Sequence, residues 1–483
     1  MKFSMKVSLG LLAIIALSGI YYGDNYFSEK KAEHQKEVSF AIFFETKDVL
    51  KFALKNSNGV FTFARDTNES PWKILTPSLL SADQDAVNNI LAAIQQLAVL
   101  QEVPNTEKTL TGDKKALAQF GLENPKTSLS VNVTGKGEMN LFLGSPLDIG
   151  KGKIGSSTAT SLYAINPAKS KLLVVSNSLS SVIENKNLYD FRTKRVGDFK
   201  GENVSSIEIN YNNENILVTK NNNSWEVTKP VKWPGDINFI SDYLSRFQGL
   251  LAQKVFEHSE LTSEMMSKFN LTKPTAVVQL KDSNGKILQT FNLGITKEGV
   301  YSSMRDGAVA KISLDLWAEL IPKEKLFRNR LVMLNTSMDS ISRINLSSDL
   351  SFVRKDNNWF RTLSTTQQPP VSETPNSDAF SFFSNWELMT ADDMILNPTN
   401  EDLVQFGITK PLKEFSFGFT EVSKLKPIKI IVGNRVPKNE KNVYLKRSDS
   451  PTVYIVEAGW LSLLAQLYSV GVPSNISVKK QME

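Results

Sequence analysis

The sequence predicts an α+β fold: an N-terminal transmembrane helix followed by three tandem modules, each a mostly antiparallel sheet with packed helices. Three observations carry this expectation. Five sequence markers recur three times in one order. Each set combines alternating apolar and polar runs with one stretch of helical spacing. An apolar run near the N-terminus is bounded by lysines on one side and by mixed charge on the other.

The clearest marker is a phrase with a Phe, then Gly or Asn, then Leu or Ile, then Pro. It reads LAQFGLENP, MSKFNLTKP and LVQFGITKP, anchored on Phe120, Phe269 and Phe406. Upstream of it stands a tryptophan after a polar turn (Trp72, Trp225, Trp359). Next comes an aspartate opening a helical pattern (Asp85, Asp236, Asp378). Downstream, alternating runs end in Gly144, Gly294 and Gly433. A short edge segment then carries Tyr163, Tyr301 and Tyr444.

The physics of one unit follows from the second copy. Ile207, Ile209, Ile216 and Val218 alternate with polar residues between Asn-rich turns, the pattern of a β-meander. Trp225 falls on a later strand and is expected to fill the gap between sheet and helix. Asp236 is placed to cap a helix whose apolar face is Ile240, Leu244, Phe247 and Leu251. Gly121, Asn270 and Gly407 are the residue types that accept a left-handed helix end, and the proline beyond stops the helix from resuming. Two more strands are expected after the phrase.

The length of 483 residues fits roughly three domains of about 150 residues each. The expected limits are 1–39 for the cytoplasmic N-terminus, anchor and stalk, 40–182, 183–333 and 334–475 for the modules, and 476–483 for a tail. Lys2 and Lys6 precede the apolar run Val7–Tyr22, and acidic residues begin at Asp24. That order fits a segment inserted with its N-terminus in the cytoplasm, and the inner membrane is the expected partner of residues 7–22. A cleavable signal peptide, with Ala16 and Ser18 before the cut, is the alternative. Both readings export the rest of the chain, which places the bulk in the periplasm.

Composition and motifs exclude several kinds of chemistry. With no cysteine there is no disulfide, no thiolate metal site and no thiol nucleophile. The net charge of +6 is scattered, where nucleic-acid binders concentrate it in a stripe, so no nucleic-acid partner is expected. Gly150, Gly152 and Gly155 spell a dinucleotide-type pattern, but Ser and Thr follow where a helix is required, so a hairpin loop is the reading. His34 and His258 lie apart, without ligand-spaced partners. The recurring aspartates read as helix starts rather than as paired catalytic carboxylates. No catalytic, cofactor-binding or metal residues are assigned, and no cofactor is expected. Two joints carry Phe-Arg with a second Arg close behind, in Leu188–Phe199 and in Leu326–Met333. Arg192–Arg195 and Arg328–Arg330 are read as ties between modules, with an anion site as the alternative.

The order of these motifs resembles the bacterial family catalogued as domain of unknown function 4340. The residues that carry the likeness are the Phe-Arg phrase, Val204–Ile207 on the first strand, the Trp strand, the Asp-led helix and the Phe-Gly-Leu-x-x-Pro phrase. It covers nearly all of residues 40–475 and is best in the second module. The resemblance implies a membrane-anchored exported protein with an auxiliary or scaffold role at an ABC-type envelope transport complex. It supplies no catalytic residues. Binding of a periplasmic glycan or small ligand is the second expectation, and an envelope hydrolase the third.

Overall fold

The computed structural model describes residues 40–104, 114–147, 161–169, 171–363 and 375–469. Strands form where the alternation predicts them. Ile207 pairs across from Val218 and Ile209 from Ile216, and all four side chains are buried. Asn212 and Asn213 turn the chain between them with positive φ, the backbone of a tight hairpin, which Asn tolerates.

The first sheet comprises β1 (Val49–Asn56), β2 (Gly59–Ala64), β3 (Lys73–Thr76), β4 (Leu80–Ser81), β5 (Val99–Glu102), β6 (Thr127–Val133), β7 (Gly137–Leu147), β8 (Ser161–Asn166) and β9 (Lys171–Ser176). The second comprises β10 (Ser206–Tyr211), β11 (Glu214–Asn221), β12 (Ser224–Lys229), β13 (Trp233–Pro234), β14 (Lys254–Phe256), β15 (Ala276–Lys281), β16 (Ile287–Thr296), β17 (Gly299–Ser303) and β18 (Val309–Ile312). The third comprises β19 (Ile341–Asn345), β20 (Leu350–Lys355), β21 (Asn358–Leu363), β22 (Asp393–Ile395), β23 (Lys413–Phe419), β24 (Ile428–Val436), β25 (Asn439–Arg447) and β26 (Val453–Glu457).

Their spatial orders are β4-β3-β2-β1-β6-β7-β8-β9-β5, β13-β12-β11-β10-β15-β16-β17-β18-β14 and β21-β20-β19-β23-β24-β25-β26-β22. The three orders correspond strand for strand, except that among the described residues the third has no counterpart of β4 and β13. The pairing is antiparallel, and the architecture is α+β in a repeat-like arrangement of three sheets.

Two expectations need correction. Four strands follow the Phe phrase, not two, and the tyrosine strand lies inside the sheet. β8, β17 and β25 each have a neighbour on both sides, and the edge is taken by β5, β14 or β22 from earlier in the chain. In the first sheet β8 pairs with β7 on one side and β9 on the other, and both of its faces are covered as well. Leu162 and Ala164 join the main core, whereas Tyr163 and Ile165, pointing the other way, belong to a second cluster with Leu122, Leu172 and Phe120. The third sheet repeats this with Phe406, Ile408, Tyr444 and Val453. The Phe phrase closes a second short helix, after the edge strand, and packs it on the face away from the Asp-led helix.

The Asp-led helices are Gln84–Gln95, Ile237–Gly249 and Ser377–Glu387. Asp236 caps its helix as expected, its Oδ1 accepting from Asn238 N at 3.0 Å and Phe239 N at 3.1 Å. Asp85 and Asp378 do not cap. Asp83 accepts from Ala86 N at 3.1 Å and Asn376 from Ala379 N at 2.7 Å, which leaves the two predicted aspartates in the first turn. Ile240, Leu244 and Phe247 are buried as read from the spacing, and Tyr243 joins them. Leu251 lies beyond the helix end and is exposed. Gly121, Asn270 and Gly407 all adopt positive φ, as the helix-end reading requires.

The chain divides into two compact units. Of the described residues, one gathers those within 40–197, 249–269 and 299–313, and the other those within 198–248, 270–298 and 314–469. In the first, the helix Gln84–Gln95 lays Val87, Ile90, Leu91 and Ile94 on a core with Phe52, Phe63 and Trp72. In the second, Phe382, Phe383 and Trp386 of the helix Ser377–Glu387 meet Trp359, Phe415 and Phe417. The expected membrane segment, residues 7–22, lies outside the described residues, as do His34, Gly150, Gly152 and Gly155. Among the described residues no helix is long and apolar enough to cross a membrane.

Candidate functional site

The joints concentrate charge with no structural duty evident from the sequence. In the first unit the short helix Leu188–Phe191 opens with a capping box formed by Asn187 and Asp190. It delivers Phe191 edge-on to Phe61 and Phe63. The next residue, Arg192, is completely buried. Its Nη1 donates to Glu257 Oε2 at 2.5 Å and its Nη2 to Asp306 Oδ2 at 2.5 Å, while Nε reaches the Thr193 carbonyl at 3.3 Å. A guanidinium already held between two carboxylates has no charge left for an external anion, but both carboxylates lie within the same expected module, 183–333, so the side chain braces that module and backbone bonds join the phrase to the preceding one.

The backbone around Arg192 is stitched on both sides. Asp83 N donates to the Phe191 carbonyl at 2.8 Å and Thr193 N to the Ser81 carbonyl at 2.9 Å. A few residues on, Val196 N donates to Leu250 O and Ala252 N to Lys194 O, each at 2.8 Å. The phrase thus clasps the start of one Asp-led helix and the segment just after the end of the next.

The second joint, within the second unit, repeats the pattern. Asp236 N donates to the Phe327 carbonyl and Asn329 N to the Pro234 carbonyl, each at 2.8 Å. Val332 N donates to Met389 O and Ala391 N to Arg330 O at the same distance. Arg328, itself nearly buried, grips Glu324 with Nε at 2.6 Å and Nη2 at 2.5 Å. The entry to the first sheet keeps half of the clasp, with Ala41 N donating to Leu97 O at 3.0 Å just past the helix Gln84–Gln95.

Burial holds the Glu324 carboxyl above the usual carboxylate range, against the opposing pull of Arg328. A raised acid pKa means that the folded protein keeps this proton where the unfolded chain has released it. The contribution of Glu324 to stability therefore falls as pH rises from the ordinary glutamate value through the folded one. The difference in stability between Glu324→Gln and the parent is expected to move in favour of the variant across that window, as read by urea unfolding at a series of pH values.

The other recurring residues are likewise committed to packing. Trp72, Trp225 and Trp359 are buried. Phe120 meets Tyr163 at 4.9 Å, and Phe269 and Phe406 stack on Tyr301 and Tyr444 at 4.2 Å. The marker glycines seat these phrases. A Cβ on Gly144 or Gly433 would run into the carbonyl oxygen of Phe120 or Phe406. Gly433→Ala is expected to cost about 1–3 kcal/mol by overpacking, measured by chemical denaturation.

Among the hollows of the described residues that the sequence did not reveal, one of about 420 Å³ lies beside Trp225 and Leu244, and two are larger. One, of about 720 Å³, is lined mainly by polar residues such as Asn56, Asn124, Asn185 and Ser145. The other, of about 460 Å³, lies in the second unit between Trp233, Leu334, Phe419 and Leu425. Neither could be read from the sequence, because each draws its lining from segments far apart in the chain. Among the described residues no group of three His, Asp or Glu side chains is placed to hold a metal ion.

The family model described as "Domain of unknown function (DUF4340)" matches residues 72–263, from the first recurring tryptophan through the Arg192 joint, and supports the likeness to that family. No curated protein matches the chain. Among solved structures, similar chains include the DNA polymerase III β chain of Streptococcus pneumoniae TIGR4, at 9% identity over 88% of this chain and 96% of that one, with a TM-score of 0.15. Another is a putative DNA polymerase III β subunit from Eubacterium rectale ATCC 33656, at 9% identity over 88% and 94%, with a TM-score of 0.14. Likenesses this weak carry no argument about fold or function.

Proposed function

We propose that the protein is a non-enzymatic, membrane-tethered periplasmic scaffold or auxiliary subunit of an ABC-type envelope transport complex, built from three tandem copies of one module. One observation carries the reading: the residue types that invite site hypotheses are spent on the fold. The joint arginines Arg192 and Arg328 are bound by protein carboxylates, and the recurring tryptophans and Phe–Tyr pairs are packed. Repeated modules then offer surfaces rather than chemistry. The apolar run Val7–Tyr22, bounded by Lys6 and Asp24, supplies the tether.

Crosslinking the full chain in native membranes, followed by partner identification, tests the proposal. Recovery of a transporter permease is expected, and a clean monomer would contradict it. The size and N-terminal sequence of the mature protein test the tether, and loss of residues 1–18 would remove it.

A second reading, binding of a small polar ligand, is favoured by the amide-rich hollow beside Asn56 and Asn124. Its glycan form finds no stacking surface there among the described residues, none of whose aromatic side chains lines that hollow.

A further inference from the structure

Equivalent hairpins differ in one place. β6 and β7 are joined by Thr134–Lys136, and β15 and β16 by Asp282–Lys286, both short and polar. β23 and β24 are joined by the longer Thr420–Pro427, and this loop holds its own shape. Ser423 N and Oγ donate to the Thr420 carbonyl at 3.0 and 2.6 Å, Leu425 N donates to Ser423 Oγ at 3.3 Å, and Thr420 N reaches the Ser340 carbonyl at 2.8 Å. Lys424 is held in the left-handed region at φ 54°. The result presents Val422 at 92% exposure and Leu425 at 50%. The loop thus holds Val422 in water and Leu425 half in water on a formed backbone.

Leu425 is also one wall of the hollow of about 460 Å³, whose apolar lining includes Trp233, Leu334, Phe419, Pro427 and Tyr454. The Trp233 ring is fixed there, its Nε1 donating to the Asn329 carbonyl at 2.8 Å. Arg447, in the lining, is fully engaged: Asp449 accepts from Nε and Nη2, and the carbonyls of Val332 and Leu334 accept from Nη1. The hollow therefore combines apolar walls with a polar side where Arg447 and Asp449 are already paired with each other. The loop brings Lys424 and Lys426 to the same surface, and neither forms an ion pair among the described residues.

We propose that the Thr420–Pro427 loop and this hollow dock an acidic segment of a partner protein. One large apolar side chain of that segment enters between Leu425 and Trp233, and flanking Asp or Glu residues meet Lys424 and Lys426. The proposal rests on the scaffold reading and names the chemistry of its partner. A protein segment fits better than a lipid surface for two reasons. A concave, aromatic-lined hollow accepts a single side chain, and the polar residues Asn335, Thr336 and Ser450 in its lining suit a peptide backbone better than lipid tails.

The test is selection of phage-displayed random peptides on the full chain in mild detergent. Enrichment of Trp, Phe or Leu flanked by Asp or Glu is expected. Binding of the enriched peptides should weaken about tenfold or more in Leu425→Asp and in the Lys424→Glu, Lys426→Glu double variant. Val404→Asp, at an exposed apolar residue outside this surface, should leave it unchanged. Unchanged thermal unfolding would show that the variants keep the fold. No enrichment, or peptides indifferent to the loop variants, overturns the proposal. So does Leu425-dependent pelleting with phosphatidylglycerol vesicles in place of peptide binding. If the loop variants still crosslink the partner recovered with the parent chain, this docking surface is wrong and the scaffold reading stands. Failure of the parent chain to crosslink any partner removes the scaffold reading itself.

Discussion

Replacing Arg192 with alanine is expected to destabilise the protein by about 3–5 kcal/mol, a large share of the stability of an ordinary domain. The side chain is completely buried, and its removal leaves Glu257 and Asp306 facing one another without a cation. Their side chains are 21% and 23% exposed, so water compensates only in part. Arg192→Lys is expected to fall between the two, because one ammonium cannot span two carboxylates as a planar guanidinium does. Replacing all three residues by neutral ones of similar size, Arg192→Met with Glu257→Gln and Asp306→Asn, is expected to recover much of the loss. The charges fix the joint's geometry more than they stabilise it on balance. Urea unfolding followed by tryptophan fluorescence reads all three. A loss below about 1 kcal/mol in Arg192→Ala would mean that the joint is solvated and the clasp loose.

Trp359→Ala is expected to cost a similar amount, about 3–5 kcal/mol. The ring lies 4.9 Å from Phe383 of the helix Ser377–Glu387, filling the space between β21 and that helix. This is the role its place in the repeat predicts. Its Nε1 finds no acceptor among the described residues, so the indole N–H adds nothing that a phenyl ring would forfeit. Trp359→Phe should therefore be far milder than alanine, losing ring volume but removing an unpaired donor. Calorimetry of the two variants separates packing from polarity. Equal losses would assign the role to the N–H instead.

Much of the fold was legible because the three sets of recurring markers check one another. The buried set Ile207, Ile209, Ile216 and Val218, the helix face Ile240–Phe247 and the left-handed residues Gly121, Asn270 and Gly407 follow from spacing and residue type alone. The errors share a physical cause. Asp83 and Asp85 are both able to cap, and local sequence does not choose between them. The backbone entering the helix, where Asp83 N is held by the Phe191 carbonyl, does. The tyrosine strand looked like a short edge because only a few residues are apolar. It is interior because a further strand pairs beyond it and the edge is taken by a strand that lies earlier in the chain, which local sequence does not show.

The joints show the same limit. The Phe-Arg phrase was visible, but Glu257 and Asp306 are far from Arg192 in sequence and carry no motif that marks them as its partners. Glu324 was closer to legible, since it stands one helical turn before Arg328. The Thr420–Pro427 loop could have been singled out by comparing hairpin lengths across the repeats, though the hollow beside it could not.

If the recurring phrases serve the fold, the amides that stitch the joints must be as protected as the helices they clasp. Hydrogen exchange at Asp83, Thr193, Val196, Asp236, Asn329 and Val332 measures this directly. Protection matching that of Ile90 and Ile240, inside the two helices, is the expected result. Exchange as fast as at the exposed Asn212–Asn213 turn would mean that the phrases are loose linkers, and their arginines would again be open to a functional ligand.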